Sequence, residues 1–274
     1  MLEIPEVIVL SRQLNQTIKG KRIKEVIAAS SPHKFAWFYR DPSAYSALLC
    51  GRIIGDAHAY GGRVEIGAED AVLNFGDGVN LRYYKPGEKM PVKHQLLIAF
   101  DDDSALVATV AMYGILQAFP SNTPMNKYNI AAKEAVSPLS DKFDYPFFRT
   151  LFDDKSCKMS AKAFLATEQR IPGLGNGVLQ DILLNARIHP KKKMNILSDE
   201  QCQELLASIK STLAEMVDGG GRDTERDLFG NTGGYETKLS KNNKLLICKV
   251  CGGAVKKEAY MGGSIYYCGH CQKA

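Results

Sequence analysis

The sequence lacks the features that would place it in a membrane or outside the cell. Its longest apolar runs are far too short to span a bilayer, and its N-terminus has no signal-peptide core. Only three of its seven cysteines, at positions 50, 157 and 202, lie outside the last 27 residues, and they are scattered singly. Because such spacing does not suggest a disulfide framework, we expect a soluble protein of a reducing, cytoplasmic compartment.

The remaining composition is that of an ordinary globular protein, with 45% hydrophobic and 24% charged residues. A chain of 274 residues is long for a single domain and has the usual length of a two-domain protein. The net charge of +5 is unevenly spread along the chain. The segment from Thr237 to Ala274 contains seven lysines and a single acid, Glu258, so it carries a net charge of +6. Such a concentration favours a phosphate backbone as partner, and a solvated lysine-rich tail is the alternative.

Two cysteine pairs near the C-terminus predict a metal site. They are Cys248 with Cys251 and Cys268 with Cys271, and sixteen residues separate them. Each Cys-x-x-Cys turn presents two thiolates to one ion, so two turns complete a tetrahedral shell. Because that shell leaves no position for water, we predict one structural Zn²⁺. Disulfides are the alternative, which a reducing compartment disfavours.

The succession of residue patterns predicts an α+β protein. Apolar residues recur at helical spacing from Val7 to Ile18, and Gly20 ends the pattern. Short β-branched and aromatic runs between turn residues then indicate an antiparallel sandwich or barrel, and helical segments follow. The predicted parts are an N-terminal domain over 1–121, a linker over 122–144, a helical domain over 145–236 and a four-cysteine zinc finger over 237–274.

Two short motifs are candidates for function. Gly173-Leu-Gly-Asn176 lies between two helical segments, and its glycines permit a tight turn. The backbone amides of such a turn and the positive end of the following helix dipole both attract an anion. An ordinary helical hairpin with glycine caps is the alternative. Glu3 and Glu6 lie at the entrance to the first helix, where capping alone favours acids, so a structural role is the default for at least one of them.

Together these motifs resemble the formamidopyrimidine-DNA glycosylase and endonuclease VIII family, which excises oxidised bases from DNA. Leu2-Glu-Ile-Pro-Glu-Val7 matches the N-terminal motif of the family. Gly173 to Asn176 matches the turn of its helix–two-turn–helix, and the four cysteines match its zinc hairpin. The resemblance covers the whole chain. It implies an N-terminal helix with an antiparallel β-sandwich, then a helical domain with a zinc β-hairpin. It also implies a monomer that binds double-stranded DNA containing a damaged base or abasic site, associated with the nucleoid in a bacterium.

The resemblance also implies chemistry at the N-terminus. The family's nucleophile is the α-nitrogen of an N-terminal proline, Glu3 matches its proton-shuttling glutamate, and Glu6 matches a supporting one. Here Leu2 replaces the proline, so we expect Met1 to be retained and its amine to be displaced by up to about 3.5 Å. Met1, Leu2, Glu3 and Glu6 are therefore the candidate catalytic residues.

Several implied DNA contacts also change. The family's lysine beside the lesion phosphate becomes Arg63, and its hairpin-tip arginine becomes Gly263, which offers only a backbone N–H. Tyr113 can serve as an intercalating wedge and Met112 can occupy space. The loop over 221–230 lies where the family places its base-recognition loop, and there Arg222, Asp223 and Glu225 can read a base edge, although a salt-bridged surface loop is the alternative. The full set of candidate DNA-binding residues is Arg63, Met112, Tyr113, Lys162, Gln169, Gly173, Gly175, Asn176, Arg222 and Gly263.

Two hypotheses follow for the function. The first is a DNA glycosylase, with or without abasic-site lyase activity, that acts on a flipped base; a misplaced amine would leave Glu3 to activate water. The second is a weakened or inactive reader of damaged DNA. Retention of Glu3 and Glu6 favours the enzyme. A zinc-ribbon accessory protein of transcription or translation would leave the N-terminal motif unexplained.

Overall fold

The computed structural model describes residues 1–125, 127–243 and 245–273, without the side chains of 127 and 128. It divides the chain into two compact units. Unit 1 comprises Met1–Ile130 and the later segment Glu225–Thr232, and unit 2 comprises Ala131–Thr224 and Gly233–Ala274. The segment Glu225–Thr232 thus packs with the N-terminal half although it lies far along the chain.

Unit 1 begins with helix α1 (Ile4–Thr17), as its apolar periodicity predicts. Glu3 is the N-cap residue, Pro5 lies in the first turn, and Gly20 adopts a φ of +84° just beyond the end. The apolar face, which includes Leu10 and Leu14, is buried against the sheet. Burial of each such leucine contributes about 1.5–3 kcal/mol, so packing rather than helix propensity fixes α1.

The sheet of unit 1 has seven strands in its described residues. Hydrogen bonding orders them β1-β6-β7-β5-β4-β3, and β2 pairs with β7 in parallel while the other pairings are antiparallel. A short helix, α2 (Tyr45–Leu49), packs on β1. The strands are β1 (Ile23–Ala28), β2 (Ala36–Trp37), β3 (Ile54–Tyr60), β4 (Arg63–Ala68), β5 (Ala71–Tyr84), β6 (Leu96–Phe100) and β7 (Ala105–Pro120).

The long strands β5 and β7 carry both halves of this sheet. One half of β5 pairs with β4, whereas the other half lies beside the part of β7 that pairs with β6. The register slips between Asp77 and Val79, and Asp77 adopts a φ of +59°. Gly78 is required there because a Cβ would collide with the carbonyl oxygen of Tyr113. This bulge sharpens the local bend of the strand pair.

Unit 2 contains the helices α4 (Tyr145–Thr150), α5 (Ala161–Ala166), α6 (Asn176–Asn185) and α7 (Asp199–Asp218). The side chains of Asp144, Ser160 and Ser198 cap α4, α5 and α7 by accepting a backbone N–H of the first turn. The Ser208 hydroxyl on α7 donates to the Ile182 carbonyl on α6 at 2.7 Å, so the two longest helices of unit 2 are joined by a buried polar contact as well as by packing.

The C-terminal part of unit 2 is the antiparallel hairpin of β8 (Val255–Tyr260) and β9 (Gly263–Cys268). Its base packs on α6, where Leu184 lies in one apolar cluster with Val255 and two of the cysteines. The fold class predicted from the sequence, a helix with an antiparallel sheet followed by helices and a four-cysteine hairpin, is confirmed. Within the described residues, no helix combines the length and apolarity that a membrane span requires.

One element was not predicted. Helix α3 (Lys127–Glu134) lies inside the segment assigned as a linker, 122–144, and the division between the two units falls within it. The segment is polar and contains Pro124 and Pro138, which concealed a two-turn helix between them. The domain boundaries predicted from the sequence otherwise stay predictions.

Candidate active site and metal centre

The first residues of the chain are held firmly at the start of α1. Glu3 and Glu6 are only 3% and 5% exposed, and they form a capping box in which the Glu3 amide donates to the Glu6 carboxylate at 3.3 Å. Leu2 is buried, and its amide donates to the carbonyl of Asp77 at 2.6 Å. Both glutamates therefore have a structural role, and Leu2 fills an apolar site rather than an open one.

The backbone nitrogen of Met1 lies 2.5 Å from the carboxylate of Glu225. Glu225 belongs to the segment that joins unit 1, and hydrogen bonds hold that segment in place. The side chain of Gln13 on α1 donates to Asp227 and accepts from the amide of Leu228, and the amide of Tyr83 donates to the carbonyl of Leu228. The loop predicted to face a base is thus anchored on α1 and β5.

Asp77 and Tyr113 lie beside the first residues of the chain, and Arg63 lies near Asp77. Burial raises the pKa of Asp77, and the nearby Arg63 guanidinium opposes that shift. Burial also raises the pKa of the Tyr113 phenol, and the negative charges of Asp77 and Glu3 raise it further. The Tyr113 hydroxyl lies 4.0 Å from the sulfur of Met1. Two carboxylates therefore border one phenol beside the start of the chain.

An aromatic surface adjoins this cluster. The rings of Trp37 and Tyr113 lie 5.8 Å apart at 34°, and Met112 is 67% exposed on the neighbouring position of β7. Trp37 and Phe35 are also exposed. Flat, exposed rings of this kind suit stacking on a nucleobase. The assignment of Met112 and Tyr113 as a wedge stays a prediction.

In unit 2, the predicted phosphate clamp is a turn between α5 and α6. Gln169 is exposed and has a φ of +54°, and Gly173 has a φ of +81°, which favours glycine. Gly175 is the N-cap of α6 and contributes no side chain there. The positive end of the α6 dipole therefore begins at a turn whose backbone an anion can approach closely.

Three further candidates come together at the tip of the hairpin. The ammonium of Lys162, only 3% exposed, donates to the carbonyl of Tyr260 at 2.5 Å, and the amide of Asn176 donates to the carbonyl of Ser264 at 3.0 Å. A side chain at Gly263 would contact both Lys162 and Asn176. Burial lowers the pKa of Lys162. The clamp and the hairpin tip thus form one polar cluster within unit 2.

Arg222 lies where the prediction did not put it. Its side chain is only 2% exposed in unit 2, and its backbone forms a bridge with Tyr235. The guanidinium of Arg222 is therefore not open to a base edge in this structure, and its assigned role in DNA binding stays a prediction. The sequence suggested exposure because the loop is rich in glycine and charge, but the chain folds back over this arginine.

The four C-terminal cysteines form a cluster with the dimensions of a metal site. Their Sγ atoms all lie within 4.8 Å of one another, and two of the separations are 3.5 and 3.9 Å. A tetrahedral Zn²⁺ with bonds of about 2.3 Å requires sulfurs about 3.8 Å apart. Burial alone would raise the pKa of Cys268, but hydrogen bonds from the amides of Cys271 and His270 and from other thiols lower it to about 7. The donor set therefore fits Zn²⁺.

Comparisons with known proteins match these features. A model of the formamidopyrimidine-DNA glycosylase H2TH domain matches residues 135–227. Proteins named formamidopyrimidine-DNA glycosylase from Wolbachia pipientis and Brevibacillus brevis are 27% and 28% identical over 282 residues, with at least 99% of each chain covered. The Thermus thermophilus MutM (Fpg) structure superposes with a TM-score of 0.80 at 22% identity and 98% coverage of both chains. The Lactococcus lactis Fpg, solved with DNA containing an abasic site, gives 0.82 at 23% identity, covering 99% of this chain and all of that one.

The N-terminal helix with its antiparallel sheet, the helix–two-turn–helix and the four-thiol hairpin together define a two-unit protein of the H2TH class. Residues 135–227 match the H2TH domain of formamidopyrimidine-DNA glycosylase, and the whole chain is similar to proteins of that name. Sequence reasoning missed Asp77, and it considered Glu225 only as a residue that could read a base edge, because only folding brings either of them to the start of the chain. The Gly76-Asp-Gly78 turn signal was the one available indication of Asp77.

Proposed function

We propose that this protein is a DNA glycosylase of base excision repair that binds duplex DNA containing an oxidised base or an abasic site. The observation that carries the proposal is the buried Glu3 at the N-cap of α1, near Tyr113, in a chain similar over its full length to proteins named formamidopyrimidine-DNA glycosylase. Glu3 is the proton-transferring group. Arg63 supplies positive charge for the lesion phosphate.

Unit 2 supplies the phosphate contacts in this proposal. The turn at Gly173 and Gly175, the α6 dipole and the cluster of Lys162, Asn176 and Gly263 form the anion-binding surface. Zn²⁺ held by Cys248, Cys251, Cys268 and Cys271 stabilises the hairpin that closes this surface. The donor set supports zinc because four thiolates at tetrahedral spacing suit a closed structural site.

A second function, a reader of damaged DNA without efficient chemistry, is supported by a specific observation. Leu2 is buried at the position of the family's proline, and the nitrogen of Met1 is paired with Glu225. An amine so placed is displaced from the family's nucleophile, and a misplacement of 1 Å can cost about a hundredfold in rate. Hydrolysis assisted by Glu3 remains open to such a protein, whereas iminium chemistry is impaired.

The test is base release and covalent trapping on the same duplex. We expect the protein to release an oxidised base, with little adduct at Met1 when borohydride is added to abasic-site DNA. Glu3→Gln should lower base release by about 10²- to 10⁴-fold and leave DNA affinity within a few-fold. Glu25→Gln, which changes an exposed glutamate on β1, is the control and should behave like the unaltered protein.

The outcomes separate the two functions. Tight binding with neither release nor adduct identifies the reader. Undiminished release from Glu3→Gln excludes the proton-transfer role of Glu3. Absence of any preference for damaged over intact duplex removes both functions.

A further inference from the structure

We infer that Asp77 is a second proton-transferring carboxylate of this site, which activates water for hydrolytic release of the base. The inference rests on the proposed glycosylase function and deepens it, because it names the group that replaces the family's amine chemistry. Three observations carry it: the β5 bulge, the contact of Asp77 with Leu2, and the absence among the described residues of a hydrogen-bond donor to the Asp77 carboxylate.

The backbone places Asp77 at the start of the chain. Its carbonyl accepts the amide hydrogen of Leu2 at 2.6 Å, and it lies opposite Gly114 in the β5–β7 register, one residue from Tyr113. The register slip begins at Asp77, and the bulge depends on Gly78, where a Cβ would collide with Tyr113. Bulges that redirect a side chain are frequent beside active sites. Asp77 also holds a φ of +59°, a conformation found at functional positions.

The carboxylate of Asp77 forms no hydrogen bond that stabilises the described part of the fold. It is half-buried, yet no donor among the described residues forms a hydrogen bond with it. Its neighbours are the Arg63 guanidinium and the neutral Tyr113 phenol. Other partly or fully buried carboxylates of the chain are satisfied; Asp181, for example, accepts from Tyr235 and from two backbone amides. A partly buried carboxylate without a donor leaves its lone pairs for a water or a substrate.

The proposed reaction balances with water as the only co-reactant. Asp77 takes a proton from a water as the water oxygen bonds to C1′ of the flipped nucleotide. The C1′–N bond breaks, its electron pair leaves with the base, and the departing nitrogen receives that proton. The net reaction adds water across the glycosidic bond. Two carboxylates with different environments, here Asp77 beside Arg63 and Glu3 in its capping box, are the usual arrangement for such transfers.

The raised pKa of Asp77 supports this use and gives a pH signature. A base acts in its deprotonated form, so the rate of base release falls as the pH drops through the pKa of Asp77. This fall in rate on the acid side of the pH profile, its acid limb, occurs at a higher pH than it would for an aspartate with an ordinary pKa. The groups near Asp77 are Arg63 on β4 and Tyr113 on β7; Glu3 acts on the same Tyr113, and the Met1 nitrogen next to Leu2 is paired with Glu225.

Asp77→Asn is the test, because asparagine also adopts positive φ and keeps the size of the side chain. We expect base release to fall by about 10²- to 10⁴-fold with loss of its acid limb. DNA affinity and thermal stability should change little. Asp103→Asn is the matched control: Asp103 also has a positive φ, +62°, but is exposed and paired with Lys24.

Each outcome decides the inference. Release at the unaltered rate from Asp77→Asn overturns it and leaves the glycosylase intact with Asp77 as a conformational residue. A parallel loss of release, affinity and stability also overturns it. If the unaltered protein binds damaged duplex but releases no base, the proposed function fails, and the role of Asp77 fails with it.

Discussion

The N-terminal site of unit 1 and the hairpin cluster of unit 2 have diverged in different ways. In unit 1 the fold keeps Glu3 and Glu6 buried at a helix start, while the reacting position itself has become Leu2. In unit 2 the turn at Gly173 and the cluster of four thiols are present, and Gly263 lies beside Lys162 where the resemblance expects an arginine. The proposed binding surface therefore rests on packing and on the thiol cluster, whereas the proposed chemistry rests on a few side chains at the start of α1.

The largest effect should come from removing the metal from unit 2. In Cys268→Ser the hairpin should unfold, because the binding energy of a structural zinc, roughly 10–16 kcal/mol in finger peptides, is also folding energy. Since the hairpin carries Lys256, Lys257 and Gly263, we expect DNA affinity to fall on the order of a hundredfold. Zinc content by atomic absorption and binding by fluorescence anisotropy measure both quantities.

Cys50→Ser is the control for this change, because Cys50 is an exposed lone cysteine of unit 1. It should keep both the metal and the affinity. Full affinity in Cys268→Ser after loss of zinc would show that unit 2 does not depend on its hairpin, and the contrast between the two regions would disappear.

The same contrast explains which features the sequence could predict. Helix α1, the clamp turn and the cysteine cluster depend on residues close together in the chain, and local spacing suffices to recognise them. Asp77 and Glu225 reach the N-terminus only through sheet pairing and through the return of Glu225–Thr232 to unit 1. The burial of Arg222 was equally hidden, because a glycine-rich, charged segment is usually exposed.

An intermediate effect should follow from Lys162→Met, which keeps the length of the side chain and removes its charge. Lys162 donates to the hairpin carbonyl of Tyr260 and borders Gly263, so the variant loses the cation nearest the proposed phosphate position. We expect affinity to fall about tenfold, and the slope of log affinity against log salt to decrease by about 1. Binding titrations at several salt concentrations measure both.

Lys142→Met serves as its control, because Lys142 is an exposed lysine of the same unit that belongs neither to the clamp turn nor to the hairpin. It should leave the salt slope unchanged. Equal slopes for Lys162→Met and the unaltered protein would mean that Lys162 holds the hairpin without contacting phosphate.

The smallest effect should come from Glu225→Gln in unit 1. The pair of Glu225 with the Met1 nitrogen is partly exposed, and such ion pairs contribute only about 0–1 kcal/mol. We expect a change in melting temperature of about 4 °C or less, with base release unaffected because the proposed water route does not use the amine. Glu236→Gln, which removes the exposed pair with Lys249 in unit 2, is the matched control for stability.

If Glu225→Gln instead produces a strong borohydride-trapped adduct on abasic-site DNA, the amine of Met1 is able to form an iminium once its ion pair is removed. The divergence of unit 1 then lies in one ion pair rather than in the replacement of proline by Leu2.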